Sequence, residues 1–359
     1  MNNNCDLSII IPVFNGANCI GACIDSVLKQ RDADKFQIIV INDGSTDNTA
    51  QIVGEYATKH PNITLVNQKN AGVSASRNRG TDIARGKYVT FIDADDTIGA
   101  KYSAYLPYFD KIVHNSQIGN LSICKSSLTQ PIKEHFFDDK FFVNLLTCAK
   151  RQNADIALGG KITVNNIEKY IKRHIYTSEH VFNVTLADKS VILNQADVRE
   201  SANFAIYSKS FLDKNNLRFI PGMQLDEDIL FCMLACLYAE RIVSVPNADY
   251  LYHRHENSLS NAANYEISNK RYSLANVQRF SVLLSELAKR PEYATIYNHW
   301  LHVFSKECNK VPDSEYAEYF PPTRCAECPY TKCDEKCFLC AGDNYVLQKL
   351  RKNTVTLFR

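Results

Sequence analysis

The chain has 359 residues, 45% hydrophobic and 22% charged, the balance of a folded globular protein, which excludes global disorder. Its 41 basic and 39 acidic side chains leave a formal charge of +2, without the basic surplus of a nucleic-acid-coating protein, so no nucleic-acid partner is expected. No run of about 18 apolar residues marks a transmembrane helix, and the start MNNNCDLSIIIPVFN lacks the basic region of a signal peptide, so a cytoplasmic location is expected.

The first hundred residues alternate strand and helix signals. Leu7 to Ile11 is a β-branched run ended by Pro12, the pattern of a strand buried on both faces. Ile20, Cys23, Ile24, Val27 and Leu28 recur at helical spacing. Phe36 to Ile41 is a second strand stopped by Asn42-Asp43-Gly44-Ser45, after which Thr46 or Asp47 caps a helix over Ala50 to Thr58. Ile63 to Val66, Ser74 to Ala84 and Tyr88 to Ile92 add a strand, a helix and a strand. This order predicts an α/β fold with a mainly parallel central sheet, whose ligands bind at the carboxyl ends of the strands. Residues 106 to 195 are irregular. Beyond them, Phe204 to Leu212, a helix at Asp226 to Ala239, a short strand at Ile242 to Val245, one long helix or two over Tyr265 to Arg290, and a helix at Tyr293 to Cys308 complete the pattern.

Asp93-Ala94-Asp95-Asp96 places three carboxylates directly after a buried strand. Carboxylates so close raise one another's pKa values, a cost that a divalent cation removes, and hard oxygen ligands suit Mg²⁺ or Mn²⁺. A solvated turn is the plain alternative for such a cluster. It stands in order with Ile9-Ile10-Ile11-Pro12-Val13-Phe14-Asn15, Val40-Ile41-Asn42-Asp43-Gly44-Ser45-Thr46-Asp47 and Asn70-Ala71-Gly72-Val73-Ser74-Ala75-Ser76-Arg77-Asn78. Together these four segments closely resemble the family 2 glycosyltransferases, inverting enzymes with a GT-A fold; the resemblance resumes at Tyr207 to Phe219, Asp226 to Phe231 and Tyr250 to Ser260.

The resemblance implies that Pro12, Val13, Phe14 and Asn15 line a nucleotide base and that Asp43 accepts the imide N–H of uracil. It places Asn70 and Arg77 over the nucleotide, Asp93 against the ribose or the metal, Asp95 on the metal that bridges the diphosphate, and Asp96 either against the donor or orienting its neighbours. Many relatives carry an acidic residue where this chain has Ala17. Glu227-Asp228 matches the family's Glu-Asp pair, making Asp228 the base and Glu227 its orienting neighbour, while Asp226 reads as a cap; stabilisation of a helix start is the plain alternative. His255 takes the place of a histidine that completes the metal site. The segment Asn203-Phe204-Ala205-Ile206-Tyr207-Ser208-Lys209 lacks the Trp usual in the family's acceptor-side motif.

Cys325, Cys328, Cys333, Cys337 and Cys340 form a small Cys-rich knuckle outside the family motifs; four thiolates, with Cys333 as the fifth, suit structural Zn²⁺ or, alternatively, an iron–sulfur cluster. The tail mixes Leu347, Leu350, Leu357 and Phe358 with Lys349, Arg351, Lys352 and Arg359, which suits either peripheral contact with the inner face of a membrane or a packed helix. The expected organisation is a glycosyltransferase domain over 1–260, with a nucleotide-sugar half (1–105) and an acceptor half (106–260), then a helical C-terminal region over 261–359. The expected activity is transfer of a hexosyl or N-acetylhexosaminyl group from a UDP-sugar to a glycan or lipid-linked acceptor in surface polysaccharide synthesis. The alternative is a non-catalytic nucleotide-sugar or partner-binding scaffold with a zinc knuckle.

Overall fold

The computed structural model describes residues 5–99, 111–114, 139–165, 170–174, 179–183, 189, 201–223, 225–254, 276 and 279–308. The Cys325–Cys340 cluster, His255 and the basic tail lie outside them. Contacts divide the chain into one unit of Met1–Gly222 with Phe231–Asn261 and a second of Met223–Leu230 with Ala262–Arg359.

The first unit opens with β1 (Leu7–Val13), α1 (Ile20–Leu28), β2 (Gln37–Asn42), α2 (Thr49–Lys59), β3 (Ile63–Asn67), α3 (Val73–Ile83) and β4 (Tyr88–Phe91). Every residue of β1, β2 and β4 is buried, as their apolar runs require when both faces are covered. Pro12 does not end β1. It falls beyond Ile10, the last β1 residue that β4 pairs, where a missing N–H disturbs the ladder least.

β5 (Thr97–Ile98), β6 (Lys111–His114), α4 (Phe141–Gln152), β7 (Ile156–Asn165), β8 (Tyr170–His174), β9 (His180–Asn183), β10 (Ala205–Ser208), α5 (Lys209–Lys214), α6 (Glu227–Tyr238) and β11 (Arg241–Arg254) follow. The main path of the sheet runs β3-β2-β1-β4-β10-β7-β11-β5. β1 to β4 are mutually parallel, whereas β10 runs antiparallel to both β4 and β7. The expectation of a mainly parallel sheet is therefore corrected to a mixed one: the parallel half ends at β4. The strand predicted over Ile242 to Val245 extends to Arg254 as β11, carried past a register shift between Ser244 and Asp249.

Strand order reverses around β1, which has β2 on one side and β4 on the other, so a crevice opens at their carboxyl ends. Phe91, Phe219 and Phe231 pack beneath it, with Phe219 and Phe231 stacked at 4.2 Å between centroids. In the second unit, α7 (279–288) and α8 (Ala294–Cys308) contribute the buried side chains Leu283, Leu287, Ile296 and Trp300, with the Phe280 and Trp300 rings 5.1 Å apart. Among the described residues, no helix is long and apolar enough to cross a membrane.

Helix α3 rests on β1 through Gly80, where a Cβ would stand 2.4 Å from Ile10 Cγ2. Ile10 is fully buried and lacks room to retreat. Gly80→Ala gains about 1 kcal/mol of helix propensity but overpacks this contact at a cost of about 1–3 kcal/mol. The expected result in urea unfolding is net destabilisation; a more stable variant would show that α3 can lift from the sheet without cost.

Candidate functional site

Four segments meet at the carboxyl edge. After β1, Pro12 and Val13 are buried and offer only backbone, whereas the Phe14 side chain is 52% exposed. Asn15 adopts φ +49°, its backbone N–H donates to Ser45 Oγ at 2.9 Å, and its Oδ1 accepts from Thr46 N at 2.8 Å. Its amide thus holds the turn after β2. The family's acidic position is taken by Ala17, whose N–H donates to Asp47 Oδ2 at 3.0 Å. Asp47 also accepts from the Thr49 hydroxyl and N–H, bonds that lower its pKa and fix the start of α2.

Asp43 is 4% exposed. Its Oδ1 accepts from Gln68 Nε2 (2.7 Å) and Ala71 N (2.9 Å), and its Oδ2 accepts from Gly72 N (2.8 Å). The carboxylate therefore shapes the Asn70–Gly72 turn that presents the exposed Asn70. Of about four accepting positions on a carboxylate, one on Oδ2 remains for a further donor.

Arg77 was expected near the nucleotide, where an arginine on a helix is ordinarily solvated. It is 3% exposed, donates from Nη2 to Asp93 Oδ1 at 2.8 Å and lies 5.0 Å over the Phe219 ring. Asp93 Oδ2 accepts from Asn203 Nδ2 at 2.6 Å. Asp95 is exposed at the tip of the same loop. Asp96 is 1% exposed; its Oδ2 accepts from the Tyr250 hydroxyl (2.6 Å) and its Oδ1 from His253 N (2.9 Å). Burial, then the charges of Asp93 and Asp95, push its carboxyl well above the usual range. Asp96 thus braces the acidic loop against β11, in keeping with the reading that it orients its neighbours.

The carboxylates suit a hard cation. Among the described residues, no three His, Cys, Asp or Glu side chains converge closely enough to cage a metal. One or two carboxylates at an open loop are what Mg²⁺ uses when substrate phosphates complete its shell. His253 is half-buried, its Nε2 2.9 Å from Thr97 Oγ1. The cysteines described here (Cys5, Cys19, Cys23 and Cys148 among them) form no disulfide.

In the second unit, Glu227 and Asp228 occupy the first turn of α6 and are half-buried; Asp228 Oδ1 accepts from Ile229 N at 2.7 Å. Asp226, read as a cap, is corrected: at φ +62° it turns its carboxylate to Arg279 Nη1 at 3.0 Å, and only its carbonyl accepts a helical bond, from Leu230 N. Asn203 and Phe219 carried no assigned role in the sequence. Their separations from Asp93 and Arg77 exceed anything that periodicity reports, and only their place inside the resembling segments marked them.

A parallel half-sheet that brings an exposed aromatic, a buried aspartate and an Asp-x-Asp loop to one switch point has the architecture of a GT-A glycosyltransferase. The family described as Glycosyl transferase family 2 matches residues 8–121. It is 46% identical over 98 residues, 27% of its length, to the uncharacterized glycosyltransferase YibD of Escherichia coli. It is 24% identical over 249 residues, 68% of its length, to a poly(ribitol-phosphate) beta-glucosyltransferase of Bacillus spizizenii. The chain spans 28% and 32% of these relatives' own lengths. S. aureus TarS 1–349 superposes with a TM-score of 0.56 at 19% identity, covering 85% of this chain and 71% of that one; its complex with UDP-GlcNAc gives 0.52. These structures share the fold.

Asp43→Asn tests the turn. Both carboxylate oxygens accept from N–H groups, so either orientation of an asparagine amide points its NH₂ at a donor. A loss of about 1–3 kcal/mol in chemical unfolding is expected; wild-type stability would show that these bonds do not hold the loop.

Proposed function

We propose that the chain is an inverting glycosyltransferase that moves a hexosyl or N-acetylhexosaminyl group from a UDP-sugar to a hydroxyl of a glycan or lipid-linked acceptor in surface polysaccharide synthesis. The observation that carries this reading is the convergence of Phe14, Asp43, Asp93 and Asp95 on one strand-end crevice. The relative that acts on poly(ribitol-phosphate) and the UDP-GlcNAc complex of TarS support a surface-polymer acceptor and a UDP donor.

In this reading the Phe14 ring covers the base and Asp43, through its remaining acceptor position, receives the uracil imide N–H. Asn70 borders the nucleotide. Arg77 pairs with Asp93 and keeps it aimed at the ribose and diphosphate side. Asp95 with Asp93, and His255 by resemblance, would hold Mg²⁺ or Mn²⁺, which when bound would supply positive charge to stabilise the departing diphosphate. Asp228 takes the proton of the acceptor hydroxyl as that oxygen attacks the anomeric carbon, with Glu227 orienting it. One displacement inverts the configuration and requires no covalent intermediate. A cytoplasmic location accompanies this reading, and a lipid-linked acceptor would bring the enzyme to the inner face of the membrane.

Calorimetric titration of UDP tests the donor site: binding that requires Mn²⁺ and is lost in Asp95→Ala is expected, and no binding to folded wild type would sink the assignment. Asp228→Asn separates binding from chemistry. It is expected to keep UDP affinity and to lose turnover by about 10²–10⁴-fold, the usual contribution of a general base; turnover near wild type would remove Asp228 from the mechanism. The spacing of Cys325, Cys328, Cys337 and Cys340 supports a structural zinc. Elemental analysis is expected to find one Zn²⁺ per chain, lost in Cys325→Ser with Cys328→Ser; iron in its place would select the iron–sulfur alternative.

A further inference from the structure

Asn203 sits 2% exposed just before β10. The antiparallel register pairs Tyr207 with Val89 and Ser208 with Tyr88; carried four residues further, it sets Asn203 opposite Asp93. A bond from Thr90 Oγ1 to the Ala205 carbonyl (2.8 Å) ties the two segments together between these points. Asn203 Nδ2 then donates to Asp93 Oδ2 at 2.6 Å, opposite the Arg77 guanidinium on Oδ1. Only one orientation of the amide allows this, because a carboxylate accepts and does not donate. Among the described residues, the Asn203 Oδ1 accepts no hydrogen bond although it is buried. A buried amide oxygen left unmade costs about 1–3 kcal/mol. An apolar side chain of the same shape would avoid that cost, so packing alone does not favour asparagine here.

We propose that Asn203 is a positioning residue for donor binding: its amide fixes the Asp93 carboxylate in the rotamer that faces the nucleotide diphosphate. The inference rests on the nucleotide-sugar reading of the site. Arg77 alone leaves Asp93 free to pivot about one contact, and a second donor on the other oxygen removes that freedom. The clamp is neutral, so it orients Asp93 without cancelling the negative charge that the acidic loop presents. It also originates in the segment where the chain lacks the usual Trp. That segment supplies an amide to the acidic loop instead.

The test compares Asn203→Leu and Asn203→Ala by calorimetric titration of UDP in Mn²⁺, with thermal melting as the check on folding. Leucine keeps the shape, removes the orphaned oxygen and presents nothing to Asp93; alanine leaves space for a water that can donate to Oδ2. Asn203→Leu is expected to melt near wild type and to bind UDP about tenfold more weakly, the usual scale for a residue supporting a ligand-binding carboxylate. Asn203→Ala is expected to bind better than Asn203→Leu. In an Asp93→Ala background, Asn203→Leu is expected to change UDP affinity no further, because the residues act as one unit. Unchanged affinity in Asn203→Leu, an alanine variant weaker than the leucine one, or additive losses with Asp93→Ala would each overturn the role while leaving the donor reading intact. Failure of wild type to bind UDP would overturn both.

Discussion

The buried guanidinium of Arg77 is the charge around which the carboxyl edge is organised. Asp93, Asp95 and Asp96 bring three carboxylates into four residues, and their mutual repulsion opposes the loop that carries them. Arg77 removes part of that cost at Asp93 through a 2.8 Å ion pair, and its guanidinium also lies over the Phe219 ring, 5.0 Å from the centroid. Burying an arginine is expensive unless it is paired and packed. The close seat of α3 on β1 at Gly80, the ring stack below and Asn203 on the far side of Asp93 all serve that one placement. The neighbouring acids divide accordingly. Asp95 remains exposed, while Asp96 is buried, is pushed toward its protonated form and braces β11.

Much of this architecture was legible in the sequence because it is local. The apolar runs of β1, β2 and β4 and the 3.6-residue periodicity of α1 and α6 report burial through composition alone. The candidate residues of the first hundred positions gathered at one edge for the same reason, since parallel strands joined by helices all end on one side. What the sequence did not disclose depends on partners far along the chain. Nothing around Arg77 marks it as buried; its setting is created by Phe219, which arrives from another segment. Asp43 reads by resemblance as a nucleotide contact, and that it also organises Gln68, Ala71 and Gly72 emerges only when β2 and β3 lie side by side. Asp226 looks like a cap because Asp at a helix start commonly is one, yet its left-handed φ sends the carboxylate to Arg279.

The reversal of strand direction at β10 explains the largest gap between sequence and structure. A parallel strand beside β4 would deliver its own carboxyl end to the crevice and leave the residues before it at the opposite edge. An antiparallel strand does the reverse, so the residues before β10 arrive beside the residues after β4. Asn203 meets Asp93 for that reason alone, and a one-residue slip in register would send a different side chain there and turn alternate residues of β10 to the other face. The acidic loop is consequently held from two directions: by α3, which belongs to the parallel half, and by the approach to β10, which belongs to the mixed half. A change in the second half that shifts β10 must therefore be felt at Asp93, even though every family motif in the first hundred residues remains in place.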